Sequence, residues 1–255
     1  MGVLNVTPDS FSDGGRYLDP DAAVAHGLRL VAEGADVVDV GGESTRPAAA
    51  PVDADVERAR IVPVVAALAP HVRVSVDTRK RSVAEAAVDA GATLINDVSA
   101  SLWPVAAAAG VGWVAMHMQG TPATMQAAPR YDDVVAEVRD FLGARLAEAT
   151  AGGVREVWID PGIGFGKTGG HNLALLHGLT SIVAVGAPVL VGTSRKSFLG
   201  DLAGGAPAAD RLEGSLATAV WAMAQGAAMV RVHDVAATVQ AARLVGEDVA
   251  LGEAS

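Results

Sequence analysis

Short apolar runs alternate with longer stretches in which apolar residues recur every three or four positions, and the alternation repeats eight times along the chain. The runs at 2–6, 36–40, 72–76, 93–95, 112–116, 156–159, 189–191 and 229–232 predict strands. The stretches at 21–33, 54–69, 81–90, 104–109, 132–151, 171–183, 208–224 and 235–245 predict helices. Gly34, Gly91, Gly110, Gly152 and Gly226 are placed to end five of these in left-handed caps. The strand runs are mostly apolar, the pattern of a parallel sheet buried on both faces. Eight strand-helix units in one chain fit an α/β fold of the (β/α)8 TIM barrel type better than a doubly wound sheet. The ligand site is then expected at the C-terminal ends of the strands.

Each run stops at residues that accept, donate or carry charge: Asn5, the turn 41–46, Asp77, Asn96 with Asp97, His117, Asp160, Ser194 to Lys196, and Arg231 with His233. An Asp, Asn or Ser between strand and helix often serves only as a helix cap, which taken singly suits Asp77 and Asp97. A cap does not call for Lys196, Arg231 or His233, because the positive end of a helix dipole disfavours a cation. The cations point instead to a ligand in one shared mouth. The connections at 7–20 and 41–53 exceed the two to about six residues that compact α/β units need. Their Gly, Ser, Asp and Pro content suits lids over that mouth.

Composition narrows the setting. Hydrophobic residues make up 51% of the 255 residues but aromatics only 4%, so the core must be built from Ala, Val and Leu, as in helices that cover a parallel sheet. No compositional break divides the chain, which reads as one barrel over 1–246 followed by a polar tail over 247–255. A net charge of −10 disfavours non-specific binding to nucleic acid or an anionic membrane, so any attraction for an anion has to be local. The lack of cysteine excludes disulfides and thiolate chemistry, and no apolar run reaches membrane-spanning length; a cytoplasmic location is expected.

Asp77, Asn96 and Asp160 together offer two carboxylates and an amide to one cavity, which suits a flat ligand rich in N–H donors. An aminopyrimidinone ring presents such an edge, together with a carbonyl for Lys196. Val98, Met116 and Phe165 are candidate apolar walls for it. A metal held by the same three oxygens is a weaker alternative beside Lys196, which already supplies counter-charge. Arg231 and His233, two residues apart on the last strand, point the same way and can address one anion with Asn5 of the neighbouring first strand. A short helix starting near Lys196 would bring its first amides, Ser197 Oγ and the Lys196 charge to a carboxylate. Residues 161–168, PGIGFGKT, miss a phosphate-cradling Walker A loop at one position, where Pro161 replaces a required glycine. His26, His71, His171 and His177 read as solvent-facing, and His117 has no assigned use.

In this order the residues resemble a known family. MGVLNVTPDSFSDGG from Met1 and VGGESTRP from Val40 resemble the two signatures of dihydropteroate synthases, which belong to the pterin-binding family. SVDTRK from Ser75, INDVS from Ile95, DPGIGFGK from Asp160, GTSRK from Gly192 and RVHDV from Arg231 extend the resemblance over nearly the whole chain. It implies a transferase of folate synthesis, a sulfonamide target, that joins 4-aminobenzoate to a 7,8-dihydropterin bearing a CH2-diphosphate and releases diphosphate and 7,8-dihydropteroate. It implies that Asp77, Asn96, Asp160 and Lys196 hold the pterin. Asn5, Arg231 and His233, with Mg2+ as cofactor at Asn5 and with Thr45 and Arg46, would hold the diphosphate. Phe11, Pro47, Phe165, Lys196 and Ser197 would surround the aminobenzoate. Asp77, Lys196, Arg231 and His233 are then the catalytic set, and a homodimer is implied by analogy.

Relatives carry several residues before the first signature, whereas Met1 here lies inside it; either the start is upstream or the first strand is short. Two competing functions share the pterin pocket. Methyltransferases that act on methyltetrahydrofolate with a corrinoid partner have no need of the diphosphate site, and a noncatalytic pterin-binding relative would lack residues of the mouth that are present here.

Overall fold

A computed structural model of the chain describes residues 1–7, 20–44 and 51–246. Among the described residues there are eight strands: β1 (Gly2–Asn5), β2 (Val37–Gly41), β3 (Arg73–Asp77), β4 (Leu94–Asp97), β5 (Gly112–Met116), β6 (Val157–Asp160), β7 (Leu190–Val191) and β8 (Met229–Val230). β1 to β6 form one parallel sheet in sequential order, and β7 pairs with β8. Two parallel bridges join these pieces, Ile159 to Val189 and Gly2 to Val232. At the first seam the Ile159 N–H donates to Pro188 O at 3.0 Å; at the second the Val3 N–H donates to Val232 O at 2.9 Å. The ring therefore closes in the order expected of a TIM barrel, and closure removes the open edges a twisted sheet would otherwise expose.

The helices α1 (Pro20–Ala32), α2 (Ala54–Leu68), α3 (Arg81–Asp89), α4 (Trp103–Ala109), α5 (Val134–Ala151), α6 (Gly169–His177), α7 (Leu179–Val183), α8 (Ser197–Leu202), α9 (Leu212–Ala224) and α10 (Val235–Gly246) alternate with the strands. Aliphatic side chains fill the space between: Ile61, Val64, Val65 and Leu68 of α2 share a core with Val38, Val40, Val74 and Val76 of the sheet.

Three expectations are corrected. The stretch 171–183 is two helices broken at Gly178, where an added Cβ would meet the Val135 methyls of α5 at 2.9 Å. The stretch 208–224 starts as a 3-10 turn, Ala208–Asp210, before α9 begins at Leu212. Gly152 keeps φ −77, and the left-handed residue is Gly153 at φ +94. Gly152 instead gives room to Trp103, whose ring would stand 2.1 Å from an added Cβ. Most of the first long connection, residues 45–50 of the second and the tail 247–255 lie outside the described residues.

The barrel interior is layered. Met1, Val37, Leu94, Val114 and Leu190 form an apolar plug, with Trp158 and Met229 packed against it. Side chains alternate along a strand, so residues two positions further on face the same interior, one layer nearer the mouth. Those residues include Asp39, Asn96, Met116, Asp160 and Arg231. A polar layer thus rests directly on a dry floor.

Candidate active site

Arg231 is the centre of the polar layer. Its Nε donates to Asp39 Oδ2 at 2.6 Å and its Nη2 to Asp77 Oδ2 at 2.9 Å. Asn96 Nδ2 donates to the same Asp39 Oδ2 at 3.0 Å. Three buried polar atoms in or next to this layer, Asp39 Oδ1, Asp77 Oδ1 and Ser75 Oγ, have no hydrogen-bond partner. Burial pushes the Asp77 carboxyl up to about 7, against the pull of Arg231 and with the help of the Asp39 and Glu57 charges. The sequence pattern assigns Arg231 to the anion site and Asp77 to the pterin site; the structure brings the two into direct contact. That pattern misses Asp39, which lies inside β2 and not at its end. The available signal was a lone carboxylate in the middle of the apolar strand VVDVG.

Asp160 and Lys196 form the second half. Asp160 Oδ1 accepts from the Gly162 N–H at 2.7 Å, and burial raises its carboxyl above the ordinary range. Lys196 Nζ lies 4.0 Å from the centroid of the Phe165 ring, a cation–π geometry. Burial, reinforced by Arg231, lowers its ammonium to about 8, while Asp160 and Asp77 oppose the shift. Gly164, at φ +82, leaves room for this lysine: an added Cβ would stand 3.1 Å from Lys196 Cδ.

Lys167 explains the near miss to a Walker A loop. It is buried, and its Nζ meets His117 Nδ1 at 2.9 Å and donates to Gly162 O and Phe165 O, both at 3.0 Å. The lysine is turned into its own loop and away from any phosphate. His117 thereby acquires a use, as the partner of Lys167, and burial with the Lys167 charge lowers its imidazole to about 3.

The other expected site residues fall in several places. Val98 and Met116 line a cavity of about 230 Å3 together with Arg79, Met118 and Phe141; Phe165 is half-buried and stands against Lys196. His233 Nδ1 is 3.0 Å from Ser194 Oγ. Burial and then Arg231 push its imidazole down to about 3, so it is a neutral hydrogen-bonding group and not the expected cation. Arg195, at φ +59, turns back to Asp234 with Nε to Oδ2 at 3.0 Å, which leaves Lys196 as the cation of that turn near the cluster. Ser197 is the exposed first residue of α8, as expected. Asn5 ends β1, half-buried and in register with Gly41. Asp97 is a structural cap, accepting from the Ser101 and Leu102 N–H groups at 2.6 Å each. His171 is not simply solvent-facing: it completes a capping box with Thr168 at the start of α6. Phe11, Thr45, Arg46 and Pro47 lie outside the described residues.

For a metal the mouth offers little. Among the described residues no three His, Cys, Asp or Glu side chains gather to hold one, and Asp39 and Asp77 are already bonded to Arg231. Asn5 supplies one hard amide oxygen. That donor set fits a Mg2+ ion ligated mainly by substrate phosphates and water, the usual habit of this ion.

Residues 1–233 match the family model of the pterin binding enzymes. A dihydropteroate synthase of Mycobacterium leprae (strain TN) is 53% identical over 260 residues, which cover 96% of this chain and 92% of that protein. Two solved structures of Xanthomonas albilineans dihydropteroate synthase, one with 4-aminobenzoic acid and one in complex with 7,8-dihydropteroate, match with TM-scores of 0.89 and 0.86. They are 48% and 45% identical, and each match covers 95% of this chain and 90% of the other.

Proposed function

This chain belongs to the pterin-binding enzyme family, and from that premise we propose that its mouth condenses 4-aminobenzoate with (7,8-dihydropterin-6-yl)methyl diphosphate to give 7,8-dihydropteroate and diphosphate. One observation carries the reading: Asp77 Oδ1 is buried without a partner at the C-terminal end of β3, in register with Asn96 at that of β4. An orphaned buried acceptor costs about 1 to 3 kcal/mol unless a ligand satisfies it. The amino and ring N–H groups of a pterin are donors of the required kind.

The residues divide the work by chemistry. Asp77 and Asp160 accept from ring N–H groups, Asn96 offers its amide oxygen, and the Lys196 ammonium donates to the ring carbonyl. Met116 and Val98 supply apolar surface for the flat ring. The C–O bond between the pterin methylene and diphosphate breaks with its electron pair leaving on oxygen. The aminobenzoate nitrogen forms the new C–N bond and then loses a proton. No protein nucleophile is required, which suits a chain without cysteine. Positive charge that develops on the methylene is stabilised by the electron-rich pterin and by the nearby Asp77 carboxylate. Mg2+ held at Asn5 would neutralise charge on the leaving diphosphate. Arg231 contributes to that neutralisation with only part of its charge, because Asp39 and Asp77 already share it.

The test measures diphosphate release from the dihydropterin substrate with and without 4-aminobenzoate. Release that depends on the arylamine, with 7,8-dihydropteroate as product, is expected; no product from the two substrates together would overturn the reading. A homodimer and a cytoplasmic location belong to the same reading. The dimer is supported by exposed Trp221 on α9 and exposed Leu244 and Val245 on α10, apolar surface that pairing would cover. Sedimentation of the purified chain as a monomer would remove that part. No helix among the described residues is long and apolar enough to cross a membrane.

A further inference from the structure

We propose that Asp39 is a positioning residue for this reaction, a single buried carboxylate that holds both Arg231 and Asn96 in place and keeps a water in the floor of the site. The inference rests on the condensation assigned above and goes one layer beneath the residues that meet substrate. Asp39 is fully buried inside β2. One of its oxygens, Oδ2, takes the Arg231 Nε at 2.6 Å and the Asn96 Nδ2 at 3.0 Å, so it ties the end of β8 to β4 across the barrel interior. By occupying the Asn96 amide nitrogen, it fixes which way that amide faces and leaves the carbonyl oxygen for a ligand N–H. By engaging the Arg231 Nε, it leaves Nη2 for Asp77.

The other oxygen is unpartnered. Asp39 and Ser75 are register partners on β2 and β3, and Asp39 Oδ1 and Ser75 Oγ are both buried without a hydrogen bond. Two orphaned polar atoms on neighbouring residues of one interior layer are the usual mark of an internal water. Below them lies the apolar plug of Val37, Leu94 and Val114, which offers no other partner. The proposed ligand is thus one water shared by Asp39 Oδ1 and Ser75 Oγ.

Asp39 also acts on Asp77 at a distance. The charged and titratable groups that act on Asp77 are Arg231 from the end of β8, Asp39 from β2, Glu57 from α2 and Lys196 from the turn after β7. Of these, Asp39 and Glu57 raise its carboxyl and the two cations lower it. Removing the Asp39 charge both deletes one repulsion and frees Arg231 to serve Asp77 alone, so each effect moves Asp77 toward a lower value.

The experiment compares the full-length chain with Asp39→Asn and Asp39→Ser. The first keeps the shape and removes the charge; the second keeps an acceptor and leaves room for water, so that a site too strained for the amide can still fold. In whichever variant folds, kcat is expected to fall about 10- to 100-fold, the range of a lost charged hydrogen bond. The Michaelis constant for 4-aminobenzoate is expected to stay within about threefold. The acid limb of kcat/KM for the pterin is expected to move down by about one pH unit. A merely structural role would not move that limb. An unmoved limb, whatever happens to kcat, overturns the proposal, as does wild-type kcat in either variant. Product formation by the unaltered chain is measured in parallel, so failure of the assigned condensation is told apart from failure of the Asp39 role.

Discussion

Two of the buried carboxylate clusters among the described residues differ in whether their oxygens are satisfied. In the first, Glu57 of α2 is fully buried and accepts from Thr78 Oγ1 at 2.7 Å and from Lys80 Nζ. Glu43 beside it accepts from Lys80 Nζ at 3.1 Å, from the Val52 N–H at 3.0 Å and from Arg79. Neither carboxylate keeps a buried oxygen without a partner. In the second, Arg231 sits between Asp39 and Asp77, and each of those carboxylates keeps one buried oxygen with no partner. Both clusters mix carboxylates with cations, so composition does not distinguish them. What distinguishes them is closure: the first ties the end of β2 to α2 and to the turn after β3, whereas the second is incomplete without a ligand. An inventory of buried charge would have ranked the two alike.

The comparison is broken most directly by Lys80→Met. This change strands the Glu57 carboxylate in a site without its cation and should lower unfolding stability by about 3 kcal/mol, the scale for breaking a buried pair from one side. Pterin affinity of the folded fraction should stay near wild type. Denaturant unfolding and calorimetric titration measure the two quantities separately, and a variant that unfolds normally but loses pterin would erase the distinction between the clusters.

The converse test is Asp77→Asn, with Asp160→Asn alongside it. Each replaces an acceptor by an amide that can set donor against donor, for a loss of about 2 to 3 kcal/mol in pterin affinity, roughly 30- to 150-fold. Stability should be far less affected than in Lys80→Met, because removing the charge at position 77 also relieves its repulsion with Asp39 and so offsets the weakened contact with Arg231. Near-native pterin affinity in both variants would place the donor-edge recognition elsewhere.

Proton linkage sharpens the same contrast. The Asp77 carboxyl is held up at about 7 in the free chain. Ligand N–H donors favour its ionised form, so binding must lower that value, and a proton leaves Asp77 when pterin binds just below pH 7. Affinity therefore rises with pH up to about 7 and then levels. Calorimetry in two buffers of different ionisation enthalpy at about pH 6.5, just below that value, should report net proton release. Matching heats in the two buffers would count against an orphaned, raised carboxylate.

The difference between the clusters also marks how much of the fold and the site is legible in the residues alone. The strands are legible because parallel strands are continuous apolar runs, and their ends, Asp77, Asn96 and Asp160, are legible because an interior layer excludes such groups until the mouth. Asp39 is not, since reading strand ends passes over a carboxylate set inside a strand. Lys167 misleads for the opposite reason: its place after a glycine-rich turn suggests phosphate, but its direction is decided by the His117 and Gly162 carbonyl oxygens that it meets, far away or unremarkable in sequence. The break at Gly178 depends on Val135 of another helix. In each case the missing information is which long-range neighbour stands opposite, a matter that local pattern does not carry.

The smallest expected effect lies at the edge of the open cluster. Ser197 is the exposed first residue of α8 and follows Lys196, whose ammonium faces the Phe165 ring. A carboxylate docked there would take one hydrogen bond from Ser197 Oγ and keep the Lys196 charge, so Ser197→Ala removes a minor contact from a partly solvated position. The Michaelis constant for 4-aminobenzoate should rise about fivefold, equivalent to about 1 kcal/mol, with pterin affinity nearly unchanged. Steady-state kinetics with each substrate varied in turn decides between the two pockets. A weakened pterin constant with an unaltered aminobenzoate constant would extend the open cluster outward to Ser197 and merge the two subsites of the proposed reading.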